Sequence, residues 1–277
     1  MSGAAQLPIR LVLSDIDGTL LRPDHSFGDK TLAAFAQLRE AGVALSLASA
    51  RPPLAMRKQI AQLGIEVPVA AFNGGTLMAA DGSYIKVSHL HPDAARIALA
   101  LFARHPVAVW LFADDQWLVR DRSAAYMQKE RDVLGYDEVV VPSFEPYLDR
   151  VDKIVATSAD FDLLIKLEQA LLPRIEGRAL ASRSQDYYLD VTDLAANKGD
   201  ALASLADYLG VDLAQTAALG DGGNDIPMFR RAGFSVAMGQ SSDEVKRHAS
   251  AVTGSNAEEG AADAITRMIL PRGRSSS

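Results

Sequence analysis

The sequence predicts an α/β fold: a Rossmann-like core with a parallel sheet, into which an α+β cap domain is inserted. Apolar runs without polar alternation, such as Leu11-Val12-Leu13, alternate with helical segments up to Gly75, and this pattern returns near Lys198. Between these parts, Asp81-Gly82 separates two extended segments, which predicts a hairpin and interrupts the parallel pattern. We therefore expect a discontinuous core of residues 1–85 and 186–277 around a cap of residues 86–185.

The first part of the core follows a strand, helix, strand order. After the strand that begins at Leu11, a helix is predicted over 29–41, because apolar residues recur at helical spacing and Gly42 suits its end. Strands over 43–48 and 67–72 flank a second helix over 55–63. Such units join parallel strands through right-handed crossovers.

The cap and the second part of the core differ in the order of their predicted helices and strands. In the cap we predict helices over 92–104, 123–130 and 161–172 and extended segments over 108–112, 117–120 and 153–157, and a closing strand over 187–191 follows the cap. In the core we predict helices over 198–209, 226–232 and 257–270 and strands over 216–219, 234–238 and 251–252. The glycine-rich acidic loop 220–225 lies between a strand and a helix.

Composition excludes several classes of function. The chain of 277 residues has a net charge of −7, which argues against a nucleic-acid partner. It has no cysteine, hence no disulfide and no thiolate chemistry. No apolar run reaches about 18 residues, so we expect no membrane span. Residues 1–10 lack the pattern of a secretory signal, so we expect a cytoplasmic location. The expected state is a monomer or a homodimer.

Polar side chains follow the predicted core strands, where the carboxyl ends of parallel strands form a ligand-binding edge. Each group has an ordinary structural explanation on its own: a polar turn after the first strand, an N-cap serine with a surface arginine after the second, and an Asn-Gly-Gly turn after the third. Their joint placement instead favours one site. The candidate residues are Asp15, Asp17, Ser49, Arg51, Asn73, Gly74, Lys198, Asp221, Asn224 and Asp225.

These residue types suit transfer of a phosphoryl group. Asp15 is the candidate nucleophile. Asp17 is the candidate acid that protonates the leaving oxygen, and then the candidate base that deprotonates the attacking water. Mg²⁺ prefers oxygen ligands, which Asp15 and Asp221 can supply. Lys198 would neutralise phosphoryl oxygens and Ser49 would donate a hydroxyl hydrogen bond. Arg51, Asn73, Gly74 and Asn224 are further candidates for phosphate binding.

The chain resembles the haloacid dehalogenase superfamily of phosphohydrolases, within it the Cof-type subgroup with a large α/β cap. Four stretches carry the resemblance: Asp15-Ile16-Asp17-Gly18-Thr19, Ser49, Asn197-Lys198-Gly199 and Gly220-Asp221-Gly222-Gly223-Asn224-Asp225. Ala50 departs from the subgroup, which usually has glycine there. The resemblance implies that the Asp17 backbone carbonyl and Asp221 ligate Mg²⁺, that Asn224 approaches the phosphate or a metal-bound water, and that Asp225 supports the metal or Lys198.

The expected function is a Mg²⁺-dependent phosphatase of small phosphorylated metabolites, foremost sugar phosphates, acting through an aspartyl phosphate. A phosphosugar mutase and a non-catalytic phosphate-binding protein are the alternatives. Specificity is expected from the cap. Its candidate residues, for which packing or turn roles are the simpler explanation, are Trp110, Asp114, Asp115, Trp117, Arg120, Tyr187 and Tyr188; His89 and His91 are interpreted as surface residues and Lys153 as structural.

Overall fold

The computed structural model describes residues 7–273. Its strands are β1 (Leu11–Ser14), β2 (Ala44–Leu47), β3 (Val69–Ala71), β4 (Thr76–Met78), β5 (Tyr84–Val87), β6 (Ala108–Ala113), β7 (Gln116–Val119), β8 (Val139–Val140), β9 (Val151–Thr157), β10 (Leu180–Gln185), β11 (Tyr188–Thr192), β12 (Thr216–Gly220), β13 (Phe234–Ala237) and β14 (Ala251–Val252). Its helices are α1 (Asp29–Glu40), α2 (Pro53–Leu63), α3 (Pro92–Phe102), α4 (Met127–Leu134), α5 (Phe161–Ile175), α6 (Lys198–Tyr208), α7 (Ile226–Arg231), α8 (Asp243–His248), α9 (Gly260–Asp263) and α10 (Leu270–Gly273). A π-helical segment, Ala264–Ile269, connects α9 to α10.

The core is a parallel sheet in the order β14-β13-β12-β1-β2. A parallel bridge between Ala48 and Ala70 adds β3 beside β2. The chain proceeds from β1 towards β2 on one side, and later from β12 towards β14 on the other, so the strand order reverses between β1 and β12. Ligands of open parallel sheets bind at such a reversal, outside the carboxyl ends of the strands. The loops after β1, β2 and β12 therefore converge at one edge.

Helices cover both faces of this sheet, and every residue of β1 is consequently buried. On one face, α1, α2 and the C-terminal helical segments contribute side chains such as Phe35, Met56 and Ile265. On the other, α6 and α7 contribute Leu202, Leu205 and Met228. Burial of a side chain of this size contributes about 1.5–3 kcal/mol to folding. The continuous apolar character of β1 follows from this two-sided burial.

The parallel pattern stops at β3, as the sequence predicts. Strands β3, β4 and β5 form a separate antiparallel sheet, and the turn between β4 and β5 contains Asp81 and Gly82. Gly82 has a φ of 89°, a conformation that glycine adopts without steric cost. The predicted hairpin is thus confirmed.

The inserted cap is built on a six-stranded sheet in the order β10-β11-β9-β6-β7-β8. One face packs against α3 and α5 through residues that include Phe102, Leu164 and Leu171. The opposite face turns towards the core and carries Trp110, Phe112, Trp117, Val155 and Tyr188. The predicted fold class, a parallel-sheet core with an inserted α+β cap, is confirmed.

Strand pairing shifts both ends of the cap from the predicted range of 86–185. Strand β5 extends to Val87 and pairs with β4, outside the cap sheet. Strand β11 pairs antiparallel with β9 and β10, so the cap sheet continues to Thr192. An isolated apolar strand is compatible with either domain, and only its pairing partner decides between them. Strands β8 and β10 lie where no strand was predicted, and α4 begins at Met127, later than predicted.

The outermost parts of the predicted core, residues 1–6 and 274–277, lie outside the described residues, and so does most of the segment used to judge a secretory signal. Within residues 7–273, no helix combines the length and the apolar character needed to cross a membrane.

We expect Gly199→Ala to lower the free energy of unfolding by about 1–3 kcal/mol, the usual cost of overpacking. A Cβ atom on Gly199 would lie 2.7 Å from the carbonyl oxygen of Pro227, and would force α6 away from α7. Urea denaturation measures the difference. Gly223→Ala is the matched control, because a Cβ there would meet no atom within 4 Å. Equal stability of the two variants would contradict this account of the helix contact.

Candidate active site

A cavity of about 450 Å³ lies between the core and the cap, at the edge where the strand order reverses. Its core side is formed by the loops after β1, β2 and β12, and its cap side by α4, β9 and the turn between β10 and β11. The predicted site residues that line it are Asp15, Asp17, Ser49, Arg51, Asp221 and Asn224. Lys198 and Asp225 lie beneath this surface and are fully buried.

Lys198 joins two carboxylates at the floor of the cavity. Its Nζ lies 2.6 Å from Asp15 Oδ1 and 2.6 Å from Asp225 Oδ1. Asn197 fixes the start of α6, because its side chain accepts a hydrogen bond from the Asp200 N–H and so caps the helix at Lys198. Asp15 directly follows β1, and its N–H donates to the carbonyl of Leu219 in β12. Three distant parts of the chain thus meet at one ammonium group.

Asp225 organises the loop that follows β12. Its second carboxylate oxygen accepts hydrogen bonds from the N–H groups of Asp221 and Gly222, both at 2.8 Å. The Thr19 hydroxyl donates to Asp221 Oδ1. Gly18 permits this approach, because a Cβ there would lie 2.4 Å from Asp221 Oδ2. Asp221 is therefore held beside the loop that carries Asp15 and Asp17.

The carboxylates of Asp15, Asp221 and Asp225 can offer oxygen atoms that all lie within 4.8 Å of one another. Burial raises the pKa of Asp15 well above its ordinary value, and Lys198 only partly offsets this effect. Burial, together with the charge of Asp225, raises the pKa of Asp221 to about 6. Burial lowers the pKa of Lys198, but the charges of Asp15 and Asp225 outweigh it and raise the pKa above its ordinary value.

This cluster fits a hard divalent cation, because oxygen donors surround the position and the acidic charges exceed the single ammonium. Within residues 7–273, no hydrogen bond uses Asp15 Oδ2 or Asp221 Oδ2. Those two oxygens are therefore available to a cation. Asp225 already accepts three hydrogen bonds, so its oxygens are less available, and its predicted role at the metal stays a prediction. The predicted contribution of the Asp17 backbone carbonyl stays a prediction.

Asp17 is engaged differently from Asp15. Arg51 Nε and a terminal guanidinium nitrogen lie 2.6 Å from the two carboxylate oxygens of Asp17, in a bidentate contact. Asp15 and Asp17 are only two residues apart in the sequence. In the structure the strand ends at Ser14, so the chain turns before Asp17 and its carboxylate meets Arg51. Both side chains nevertheless line the same cavity.

The remaining core candidates lie around the loop after β2. Ser49 is buried at the cavity wall, and its hydroxyl oxygen accepts from the Arg51 N–H. Asn73 N–H donates to the Ser49 carbonyl, and Asn224 Nδ2 donates to Asn73 Oδ1. Gly74 does not line the cavity, and a Cβ there would lie 2.8 Å from Ala201 in α6. Gly74 therefore packs against that helix, and its predicted contact with phosphate stays a prediction.

The cap contributes its own polar groups to the cavity. Glu130 and Lys153 both line it, although their side chains are almost fully enclosed by protein. Two hydrogen bonds join this wall to the core: Lys153 Nζ donates to the Ala50 carbonyl at 3.1 Å, and Arg51 donates to the Val133 carbonyl in α4 at 3.3 Å. The other cap residues at the cavity are Lys129, Val133, Leu134, Val155, Ser184, Gln185, Tyr187 and Tyr188.

Only Tyr187 and Tyr188 among the cap candidates lie at this cavity. Trp110 and Trp117 are buried and pack edge to face, as their packing interpretation predicts. Asp114 pairs with Arg150 and Asp115 accepts from Tyr84. Arg120 lines a separate hollow of the cap, His89 contacts Asp152, and the His91 side chain caps α3.

The sequence did not single out Glu130, and it indicated a structural role for Lys153, although both side chains line the cavity. Glu130 stands in a run of charged residues that also suits an exposed helix face, so no pattern separates it from its neighbours. A signal did exist for Lys153, because it interrupts the otherwise apolar alternation of a central strand, on the same face as Val155.

Comparison with known proteins identifies the family. A family model described as haloacid dehalogenase-like hydrolase matches residues 12–265. The chain belongs to this family, and the membership predicted from the four motifs is confirmed. The HMP-PP phosphatase of Escherichia fergusonii is 31% identical to this chain over 237 residues, which is 86% of each chain.

Solved structures show the same fold. A haloacid dehalogenase-like hydrolase from Bacteroides thetaiotaomicron superposes with a TM-score of 0.84 at 24% identity, covering 94% of this chain and 99% of that protein. A sugar phosphatase of subclass IIB, BT4131, superposes with a TM-score of 0.83 at 24% identity and with the same coverage. The chain is thus a hydrolase of this family, and these relatives include proteins named as phosphatases.

We expect Lys198→Met to lower the free energy of unfolding by about 3–5 kcal/mol, because it leaves the buried Asp15 and Asp225 without their cation. Urea denaturation without divalent cations measures the effect. Arg231→Met is the matched control: it breaks an ion pair with Asp200 whose side chains are 45% and 40% exposed, and should cost at most about 1 kcal/mol. Similar losses of unfolding free energy in the two variants would mean that the contacts of Lys198 with Asp15 and Asp225 do not stabilise the floor of the cavity.

Proposed function

We propose that this protein is a Mg²⁺-dependent phosphatase of small phosphorylated metabolites, foremost sugar phosphates, which acts through an aspartyl phosphate on Asp15. The observation that carries this proposal is the position of Asp15. Its carboxylate lines the cavity, touches Lys198 through Oδ1 and has Oδ2 free of protein hydrogen bonds among the described residues. A carboxylate held in this way can attack a phosphorus atom from the floor of the cavity.

The reaction divides into two displacements. Asp15 forms a bond to phosphorus while the bond to the ester oxygen breaks, and Asp17 gives a proton to that departing oxygen. Water then attacks the aspartyl phosphate with Asp17 taking its proton, which releases phosphate and restores Asp15. Lys198 stays in contact with Asp15 and offsets the negative charge that accumulates around phosphorus.

Mg²⁺ is proposed because the donor set consists of carboxylate oxygens, with Asp15 and Asp221 as ligands and Asp225 behind them. When bound, the ion would supply charge neutralisation to the phosphoryl oxygens and hold them in place. Burial raises the pKa values of Asp15 and Asp221, and the neighbouring carboxylates raise them further, so a bound cation would favour the ionised form of both groups.

Arg51 has a place in the same scheme. In this structure its guanidinium contacts the Asp17 carboxylate. The same planar group of donors also fits the oxygens of a phosphoryl group. We propose that an incoming phosphate takes over part of this contact, which frees an Asp17 oxygen to carry the proton. Ser49 and Asn224 line the cavity beside it, and their side chains can donate to phosphoryl oxygens.

Two relatives support the substrate class. One is named as a sugar phosphatase and the other as an HMP-PP phosphatase, so both act on small phosphorylated molecules. A cavity of about 450 Å³ has the size of a pocket for a small ligand. The partner is accordingly a small phosphorylated metabolite. The cytoplasmic location and the monomeric or homodimeric state stay predictions.

We expect Mg²⁺ to raise the melting temperature more at about pH 7.5 than at about pH 5. Because the pKa of Asp221 is raised to about 6, a proton occupies this carboxyl below that pH and competes with the cation. Thermal melts with and without Mg²⁺ at both pH values measure the effect. In Asp221→Asn the pH dependence should shrink sharply. A Mg²⁺ shift that is larger at the lower pH would contradict the assignment.

We expect Asp15→Asn to reduce phosphate release by roughly a thousandfold or more while the fold is retained, because an amide cannot act as the nucleophile. The assay measures phosphate released from sugar phosphates, nucleoside monophosphates, pyridoxal phosphate and HMP-PP, with and without Mg²⁺. Circular dichroism checks the fold of the variant. Undiminished hydrolysis by Asp15→Asn would refute the assignment of the nucleophile, and an isomerised sugar phosphate without free phosphate would indicate a mutase.

A further inference from the structure

Two charged side chains at the cap side of the cavity have no part in the chemistry proposed above. Glu130 is 8% exposed and Lys153 is 6% exposed, yet both line the cavity. Burying a charged group is costly unless it is paired or hydrogen-bonded. Hydrogen bonds and an ion pair within the protein hold both side chains in place at the cavity, where the core chemistry uses neither of them.

Glu130 is held in place and retains capacity to bind a ligand. The Tyr188 hydroxyl donates to Glu130 Oε2 at 2.9 Å, and Tyr188 is itself packed edge to face against Trp110. Among the described residues, no hydrogen bond uses Glu130 Oε1. The carboxyl group is thus oriented by the cap and keeps one oxygen available as an acceptor.

Lys153 is likewise anchored and incompletely used. Its Nζ donates to the Ala50 carbonyl at 3.1 Å and lies 3.6 Å from Asp190 Oδ2. The rings of Phe112 and Phe72 lie beneath it, with centres 5.1 and 5.8 Å from Nζ. An ammonium group has three donors, so at least one remains for a ligand in the cavity.

The charges of this wall balance one another. Lys129 and Lys153 are cationic and Glu130 is acidic, while Asp190 offsets Lys153 from outside the cavity lining; Lys129 also lies over the ring of Tyr187 at 4.3 Å. A second phosphate on the ligand would meet Glu130 as well as the lysines, so the wall offers no net attraction to it. A hydroxyl group suits the wall better, because it can donate to Glu130 and accept from Lys153 at once.

We propose that Glu130 and Lys153 form the subsite for the leaving group, in which they bind hydroxyl groups of an uncharged, hydroxylated leaving group. This inference rests on the proposed phosphatase function and adds to it the residues that select the substrate. Tyr188 is a positioning residue for Glu130, and Tyr187 supplies an aromatic surface at the same wall.

The test compares substrates with and without hydroxyl groups on the leaving group. The hydroxylated probes are glucose 6-phosphate, ribose 5-phosphate and glycerol 3-phosphate, and the probe without hydroxyls is phenyl phosphate. We expect Glu130→Gln and Lys153→Met each to lower kcat/KM for the preferred hydroxylated probe roughly 10- to 100-fold, and for phenyl phosphate less than about threefold. Asp132→Asn is the matched control, because it removes a charge from an exposed position of the same helix, and should change neither value.

Tyr188→Phe provides a second test that leaves the carboxylate in place. We expect it to raise KM for the hydroxylated probe and to leave phenyl phosphate unaffected, since Glu130 loses only the donor that orients it. Equal losses on both kinds of probe in Glu130→Gln and Lys153→Met would overturn the subsite, and so would a wild-type protein that does not prefer hydroxylated probes. Failure of the proposed phosphatase function would give a different result from failure of the subsite. In that case either the wild type would release no phosphate from any probe, or Asp15→Asn would retain activity.

Discussion

The contact of Lys198 with Asp15 and Asp225 is the interaction on which the rest of the site depends. Of these three buried groups the ammonium is the one whose loss is most costly, since both carboxylates would then lie in the interior without a counter-charge. Asp225 also holds the backbone of Asp221 and Gly222. One ammonium therefore fixes the candidate nucleophile and, through Asp225, the loop that carries a second candidate metal ligand.

This arrangement follows from the topology of the core sheet. Strands β1 and β12 are adjacent although about 200 residues separate them in the sequence, and the strand order reverses between them. Asp15 and Asp221 therefore leave the sheet side by side, and α6 begins close enough to insert Lys198 beneath them. Parallel pairing of β1 with β12 is thus a structural requirement of the site as well as of the fold.

Much of the core could be predicted from the sequence, because its signals are local. Apolar runs buried on both faces indicate the parallel strands, and the motifs after them indicate Asp15, Lys198 and Asp221. The cap could be predicted only in outline. The pairing of β11 with β9 depends on contacts between distant segments, which periodicity does not reveal. Glu130 likewise has the local pattern of an exposed residue, and only the folded cap encloses it. For Gly74, the turn signal was correct, but its packing against α6 depends on tertiary structure.

The loop after β2 connects the two halves of the cavity physically. Arg51 contacts Asp17 and the Val133 carbonyl of the cap, and the neighbouring Ala50 carbonyl accepts from Lys153. A movement of the cap away from the core would break both of the last contacts and remove restraints on Arg51. Since Arg51 engages both oxygens of Asp17, the position of the cap bears directly on the group proposed to move the proton. The three consecutive residues Ser49 to Arg51 therefore link the proposed subsite for the leaving group to the proposed acid and base in the core, and a change in the cap at these contacts would reach both.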